Sequence, residues 1–138
     1  TPLMIFMDLD NFKQVNDRFG HDKGDQLLVQ TGKALSGCLR KGDTCARIAG
    51  DEFIILIKEC HSIDEAKETA ERLMDALELL FKLHDPTNIL SASMGILLLD
   101  RIESSNELYK KADRLMYKAK AAQDKHFIIE KLSLISDL

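Results

Sequence analysis

The chain has 138 residues, 45% of them hydrophobic and 30% charged, which suits one folded domain rather than a disordered tail. Its 23 acidic against 19 basic residues leave a formal charge of −4, which argues against non-specific binding to a nucleic-acid backbone or to anionic lipid. No apolar run approaches the ~20 residues a membrane-spanning helix needs, and no signal peptide is visible. The three cysteines, Cys38, Cys45 and Cys60, lack C-x-x-C spacing and read as small core residues in a reducing, cytoplasmic setting.

The apolar run Leu3-Met4-Ile5-Phe6-Met7 predicts a buried strand ending at Asp8-Leu9-Asp10. A short helix over Asn11–Arg18 is closed by the Gly20-His21-Asp22 turn. A longer helix follows, with Leu27, Leu28, Thr31, Leu35, Cys38 and Leu39 at helical spacing. Thr44–Ile48 and Phe53–Ile57 read as two strands of a hairpin around Gly50. Ser62-Ile63-Asp64-Glu65 matches a capping box and opens a helix striped by Ala66, Ala70, Leu73, Leu77 and Phe81. Asp85-Pro86-Thr87-Asn88 ends that helix with turn chemistry, and Ile89–Leu99 reads as a strand. Ser104-Ser105-Asn106-Glu107 is a second capping box, opening a helix with Leu108, Ala112, Leu115 and Ala119, and His126–Glu130 is a last strand. The order β-α-α-β-β-α-β-α-β predicts an α+β fold, helices flanking a mostly antiparallel sheet. The abrupt start on a strand predicts that the chain is a fragment of something longer.

Four groups of residues suggest chemistry. Asp8 and Asp10 end an apolar strand, where carboxylates are costly unless neutralised, and Mg²⁺ neutralises them when substrate phosphates complete its shell. Taken alone, the pair reads more simply as caps of the following helix, with Asp10 accepting from first-turn amides. Asp51 and Glu52 lie at the hairpin turn; if the hairpin lies beside the first strand, Asp51 and Asp8 converge on one metal. Lys13 sits in a first helical turn, where phosphate is favoured. Asn16 and Asp25, near His21, offer the donor and acceptors a guanine edge needs, or else simply line a polar loop. Residues 109–125 carry six Lys/Arg, Lys120 among them, against two acids, a local +4 that suits a triphosphate or a solvated helix face.

Together these motifs resemble the GGDEF domain of diguanylate cyclases, which make cyclic di-GMP from two GTP. The matching stretches are Asp8-Leu9-Asp10-Asn11-Phe12-Lys13-Gln14-Val15-Asn16-Asp17, Gly20-His21-Asp22-Lys23-Gly24-Asp25 and Arg47-Ile48-Ala49-Gly50-Asp51-Glu52-Phe53. Ser93-Met94-Gly95-Ile96 and Ala112-Asp113-Arg114-Leu115-Met116-Tyr117-Lys118-Ala119-Lys120 complete them, in family order over nearly all of residues 1–138. The resemblance implies a ferredoxin-like, palm-type cyclase domain with its N-terminal segment missing. It implies that Asp8, the Leu9 carbonyl and Asp51 hold Mg²⁺, or Mn²⁺ in its place, with Glu52 as an additional ligand. Asp51 is implied as the acid that helps deprotonate the 3′-hydroxyl, and Lys13 as the residue stabilising phosphate charge. Asn16, His21 and Asp25 are implied to bind guanosine, and Lys120 the terminal phosphates. Arg40 and Asp43 match the inhibitory R-x-x-D motif that binds product, with Arg72 a weaker candidate. One domain binds one GTP, so a homodimer is expected for activity.

The chain departs from the family pattern at three places. Ala49 replaces the first signature glycine, which is harmless only if its φ is negative. Asp124 stands where a phosphate-binding cation is expected, and Lys125 substitutes only if the chain shifts by one residue. The leading D-x-L-T-G-L-x-N-R-R stretch is absent from residues 1–138. These departures leave a second reading open, a catalytically silent domain that binds GTP or cyclic di-GMP as a regulatory receptor.

Overall fold

The computed structural model describes residues 1–99, 105–121 and 127–132. Along the chain these form β1 (Leu3–Asp10), α1 (Phe12–Phe19), α2 (His21–Gly37), β2 (Thr44–Ala49) and β3 (Glu52–Ile57). Then follow α3 (Ile63–His84), β4 (Ser91–Leu99), α4 (Ser105–Ala121) and β5 (Phe127–Leu132). The strands make one sheet in the order β2-β3-β1-β4-β5. Neighbours among the first four are antiparallel, whereas β5 runs parallel to β4. The α+β class and the element order agree with the sequence. Ser104 of the second capping box, His126, Asp124 and Lys125 lie outside the described residues.

The central strand explains where the acids go. β1 is covered on both faces, which is why it reads as an unbroken apolar run. Its odd residues Leu3, Ile5, Met7 and Leu9 join a core with Leu27, Leu35, Leu73 and Leu77 from α2 and α3. Its even residues Met4 and Phe6 pack instead with Leu97 and with Ala112, Leu115 and Met116 of α4. Side chains two apart share a face, so Asp8 and Asp10 continue the row that faces α4. That parity overturns the helix-cap reading. Asn11 is the N-cap of α1 and no side chain caps that end. Asp10 accepts from Ser91 Oγ at 2.9 Å and Ser93 Oγ at 2.8 Å, residues of the neighbouring strand.

The caps and turns are local in origin. Ser62 Oγ accepts from the Glu65 N–H at 3.1 Å, and Glu65 reaches back to the His61 N–H at 2.8 Å. All five residues of the α3 stripe are buried. Strand β4 begins two residues later than the apolar pattern suggests. The N–H groups of Ile89 and Leu90 are taken by the Asp85 carboxylate at 2.8 Å each, not by a neighbouring strand. Cys60 is buried, and Cys38 and Cys45 are partly so, all three as free thiols.

Gly95 sets how closely α4 lies on the sheet. A Cβ there would fall 2.1 Å from the Ala112 carbonyl oxygen and 2.6 Å from the Met116 nitrogen, both helix backbone. Gly95→Ala must therefore push the helix away. It is expected to destabilise the protein by about 2–3 kcal/mol in a urea titration. A midpoint unchanged from wild type would show that α4 does not need this contact.

Candidate active site

Antiparallel pairing of β1 with β3 sets Asp8 opposite Glu52, and pairing with β4 sets it opposite Ser93. The hairpin tip is then stapled to β1 by the Leu9 N–H, which donates to the Asp51 carbonyl at 3.2 Å. Asp8 and Asp51, 43 positions apart in the chain, thus meet at one corner of the sheet. Burial first, then contact with Asp8 and its negative charge, push the Asp51 carboxyl up to about 6. Burial likewise raises Glu52, helped by the charges of Asp8 and Asp113.

Lys120 closes this corner from α4. Its Nζ donates to Asp8 Oδ2 at 2.6 Å and lies 3.7 Å from Asp10 Oδ1. Burial would lower its pKa, but the Asp8 hydrogen bond and the charges of Asp8, Asp10 and Asp51 outweigh burial and raise it. Asp8 Oδ1 is buried and accepts no hydrogen bond. A buried carboxylate oxygen without a donor is costly, and the ionised Asp51 beside it cannot supply one. A hard cation can. The described residues contain no group of three or more His, Cys, Asp or Glu suited to a metal. Two carboxylates nevertheless suffice for Mg²⁺ when phosphates fill the remaining positions.

The signature turn shows what its alanine does. Gly50 takes φ +52°, a left-handed conformation, and Arg47 Nη1 holds its carbonyl at 3.0 Å. Ala49 is absent from the residues with positive φ and is exposed, so its methyl strains nothing in the turn. The register shift between Arg47 and Ala49 places a bulge just before it. Gly50→Ala is expected to cost about 1–2 kcal/mol by thermal denaturation. Ala49→Gly should shift stability by well under that, and the reverse ranking would contradict this backbone assignment.

The residues expected to bind guanosine lie on α1 and the first turns of α2. Asn16 Nδ2 lies 2.8 Å from His21 Nδ1, while Asn16 Oδ1 is buried without a partner. The amide presses so closely on Gly24 that a Cβ there would lie 2.0 Å from Oδ1. Asp25 is exposed and lines a cleft of about 560 Å³ between α2 and the β2–β3 hairpin, with Leu28, Arg47 and Phe53 among its walls. Asn16 and His21 do not line that cleft. Lys13 is exposed in the first turn of α1.

Arg40 and Asp43 lie apart from the acidic corner, in the turn before β2. Asp43 is fully engaged there: Oδ2 accepts from the Arg40 N–H at 3.0 Å and Oδ1 from the Lys58 N–H at 2.9 Å. Its removal would loosen the turn as well as any ligand contact. Arg40 and Arg72 are exposed.

Ser91 and Ser93 at the corner, and Gly24 beside Asn16, carry no role in the sequence reading. Ser91 and Ser93 hold Asp10, and their signal was two small polar residues alternating within a buried strand. Gly24 lay inside a matched stretch, but its contact with Asn16 spans two helices.

The Diguanylate cyclase, GGDEF domain family model matches residues 2–126. This chain is a member of the GGDEF family. It is 39% identical over 118 residues to the bifunctional diguanylate cyclase/cyclic di-GMP phosphodiesterase MucR of Pseudomonas aeruginosa, covering 85% of this chain and 17% of MucR. It is 38% identical over 119 residues to the cyclic di-GMP phosphodiesterase NbdA of the same organism, covering 86% of this chain and 15% of NbdA. The active GGEEF domain of a diguanylate cyclase from Vibrio cholerae superposes with a TM-score of 0.74 at 31% identity, covering 96% of this chain and 85% of that one. The GGDEF chain thus spans less than a fifth of either Pseudomonas relative's length. No helix among its described residues is long and apolar enough to cross a membrane.

Proposed function

We propose that residues 1–138 form one cytoplasmic cyclase module that joins two GTP into cyclic di-GMP and releases pyrophosphate, working as a homodimer of GTP-loaded domains. The observation that carries this reading is the meeting of Asp8 and Asp51 from separate segments, with Asp8 Oδ1 buried and unpartnered. Asp8, Asp51 and the Leu9 carbonyl would hold Mg²⁺, or Mn²⁺ in its place, with Glu52 adjoining. When bound, the cation supplies neutralisation of charge on the transferring phosphoryl group.

The chain's own residues do the rest. Asp51 takes the proton of the attacking 3′-hydroxyl as a general base. The O3′–Pα bond forms while the bond from Pα to the pyrophosphate oxygen breaks, an in-line displacement that needs positioning more than covalent help. Lys13 sits where α1 favours negative charge and stabilises the growing phosphate charge. Lys120 takes the terminal phosphates. Asn16, His21 and Asp25 hold guanosine, and the exposed Asp25 carboxylate supplies an acceptor for its N–H groups. Arg40 and Asp43 bind product, and neither nucleic acid nor a membrane is a partner of this segment.

The deciding experiment incubates the purified full-length protein with GTP and Mg²⁺ and resolves products by chromatography. Cyclic di-GMP supports the cyclase. GTP binding without turnover in a dimeric preparation moves the assignment to a GTP or cyclic di-GMP receptor. Asp25→Ser is expected to weaken discrimination against ATP by about tenfold or more in competition binding, since a lost base-edge contact is worth about 1–3 kcal/mol. Unchanged selectivity removes Asp25 from base recognition. Arg40→Ala, rather than an Asp43 variant, isolates product binding from turn stability; undiminished cyclic di-GMP affinity would rule that site out.

A further inference from the structure

We propose that Lys120 is an internal counter-cation that competes with the divalent cation for Asp8, so that metal loading depends on arrival of the triphosphate. The proposal rests on the reading of Asp8 and Asp51 as metal ligands. The Lys120 ammonium holds Asp8 Oδ2 at 2.6 Å and lies 3.7 Å from Asp10 Oδ1. The side chains of Lys120, Asp8 and Asp10 are 29%, 13% and 20% exposed, so water and salt screen their charges weakly.

The ammonium cancels part of the charge of Asp8, Asp10 and Asp51 that would attract a divalent ion, and it repels that ion across a shared carboxylate. Asp10 keeps it there. Both Asp10 oxygens accept from serine hydroxyls, Oδ2 from Ser91 and both from Ser93, which fixes the carboxylate as a second anchor for Nζ. Asp10 is a positioning residue, and Ser91 and Ser93 act through it. A lysine ammonium is a point charge on a flexible stem. A triphosphate with about four negative charges offers it a stronger partner than Asp8. When Lys120 turns to the phosphates, Asp8 Oδ2 is released beside the unpartnered Oδ1. Cation and triphosphate therefore bind with positive coupling, and each raises the other's affinity by the same factor.

The test measures Mn²⁺ binding, by the paramagnetic resonance signal of the free ion, with and without α,β-methylene GTP. Lys120→Met is expected to bind Mn²⁺ alone about tenfold tighter than wild type, within the usual range of such couplings. Lys120→Arg keeps the charge and should stay within about threefold of wild type. The analogue should strengthen Mn²⁺ binding by wild type far more than by Lys120→Met. A lysine that only tethers α4 would instead lower the melting temperature of Lys120→Met equally with and without Mn²⁺, at unchanged affinity, which overturns the proposal. Should Lys120→Met not fold, the wild-type comparison decides by itself: equal Mn²⁺ affinity with and without the analogue overturns the coupling. Asp8→Asn tests the underlying metal reading separately, because unchanged Mn²⁺ binding there displaces the ligand assignment rather than the competition.

Discussion

Replacing Asp51 with Asn is expected to lower cyclic di-GMP formation by at least about a hundredfold, the scale of losing a general base. The same change should leave the cation-free protein as stable as wild type, or more so. The sign follows from the raised carboxyl. A group whose folded pKa lies above its unfolded value stabilises the fold only while protonated. For Asp51 that contribution is complete below the ordinary carboxylate pKa and is lost as pH rises through about 6. At pH 7.5 an ionised Asp51 faces Asp8 across a partly desolvated corner, and the neutral amide relieves that repulsion. Asp51 is only partly buried, so solvent screening keeps the gain small. Activity is read by chromatography and stability by thermal denaturation in chelator. Full activity removes Asp51 from the chemistry, and a large fall in melting temperature would mean its carboxylate is structural.

Cation affinity should fall about tenfold between pH 7.5 and pH 5. A carboxyl at about 6 must give up its proton before it can hold a cation, and at pH 5 roughly nine-tenths of such groups are protonated. The measurement is Mn²⁺ titration at fixed nucleotide-analogue concentration across that range. Asp51→Asn should flatten the profile, since the titrating group is gone. A wild-type profile already flat between these values would exclude Asp51 as a ligand. Stability should follow the same course: the rise in melting temperature on adding the cation is expected to be larger at pH 7.5 than at pH 5.

Much of this was legible before any coordinates. The stripes of α2 and α3, the Ser62 cap and the hairpin around Gly50 are encoded within a few residues each, because periodicity, caps and turns are short-range physics. The end of β4 nearest Asp85 was misplaced because a side-chain carboxylate, not a strand, claimed the amides of Ile89 and Leu90. Whether Ala49 mattered hinged on one backbone angle, and residue identity does not state φ.

The acidic corner divides the same way. Asp8, Asp51 and Lys120 are recognisable from residue type and spacing along matched motifs. Their meeting is a property of strand pairing: the register of β1 against β3 and β4, together with its two-residue parity, turns Asp8 and Asp10 toward α4 instead of α1. The ion pair across 112 positions then depends on Gly95 letting α4 lie against the sheet. Local composition therefore specified the elements and the chemical groups. Which groups face one another, and that a lysine already occupies the carboxylate a cation would need, came from long-range packing, which no short window of residues encodes.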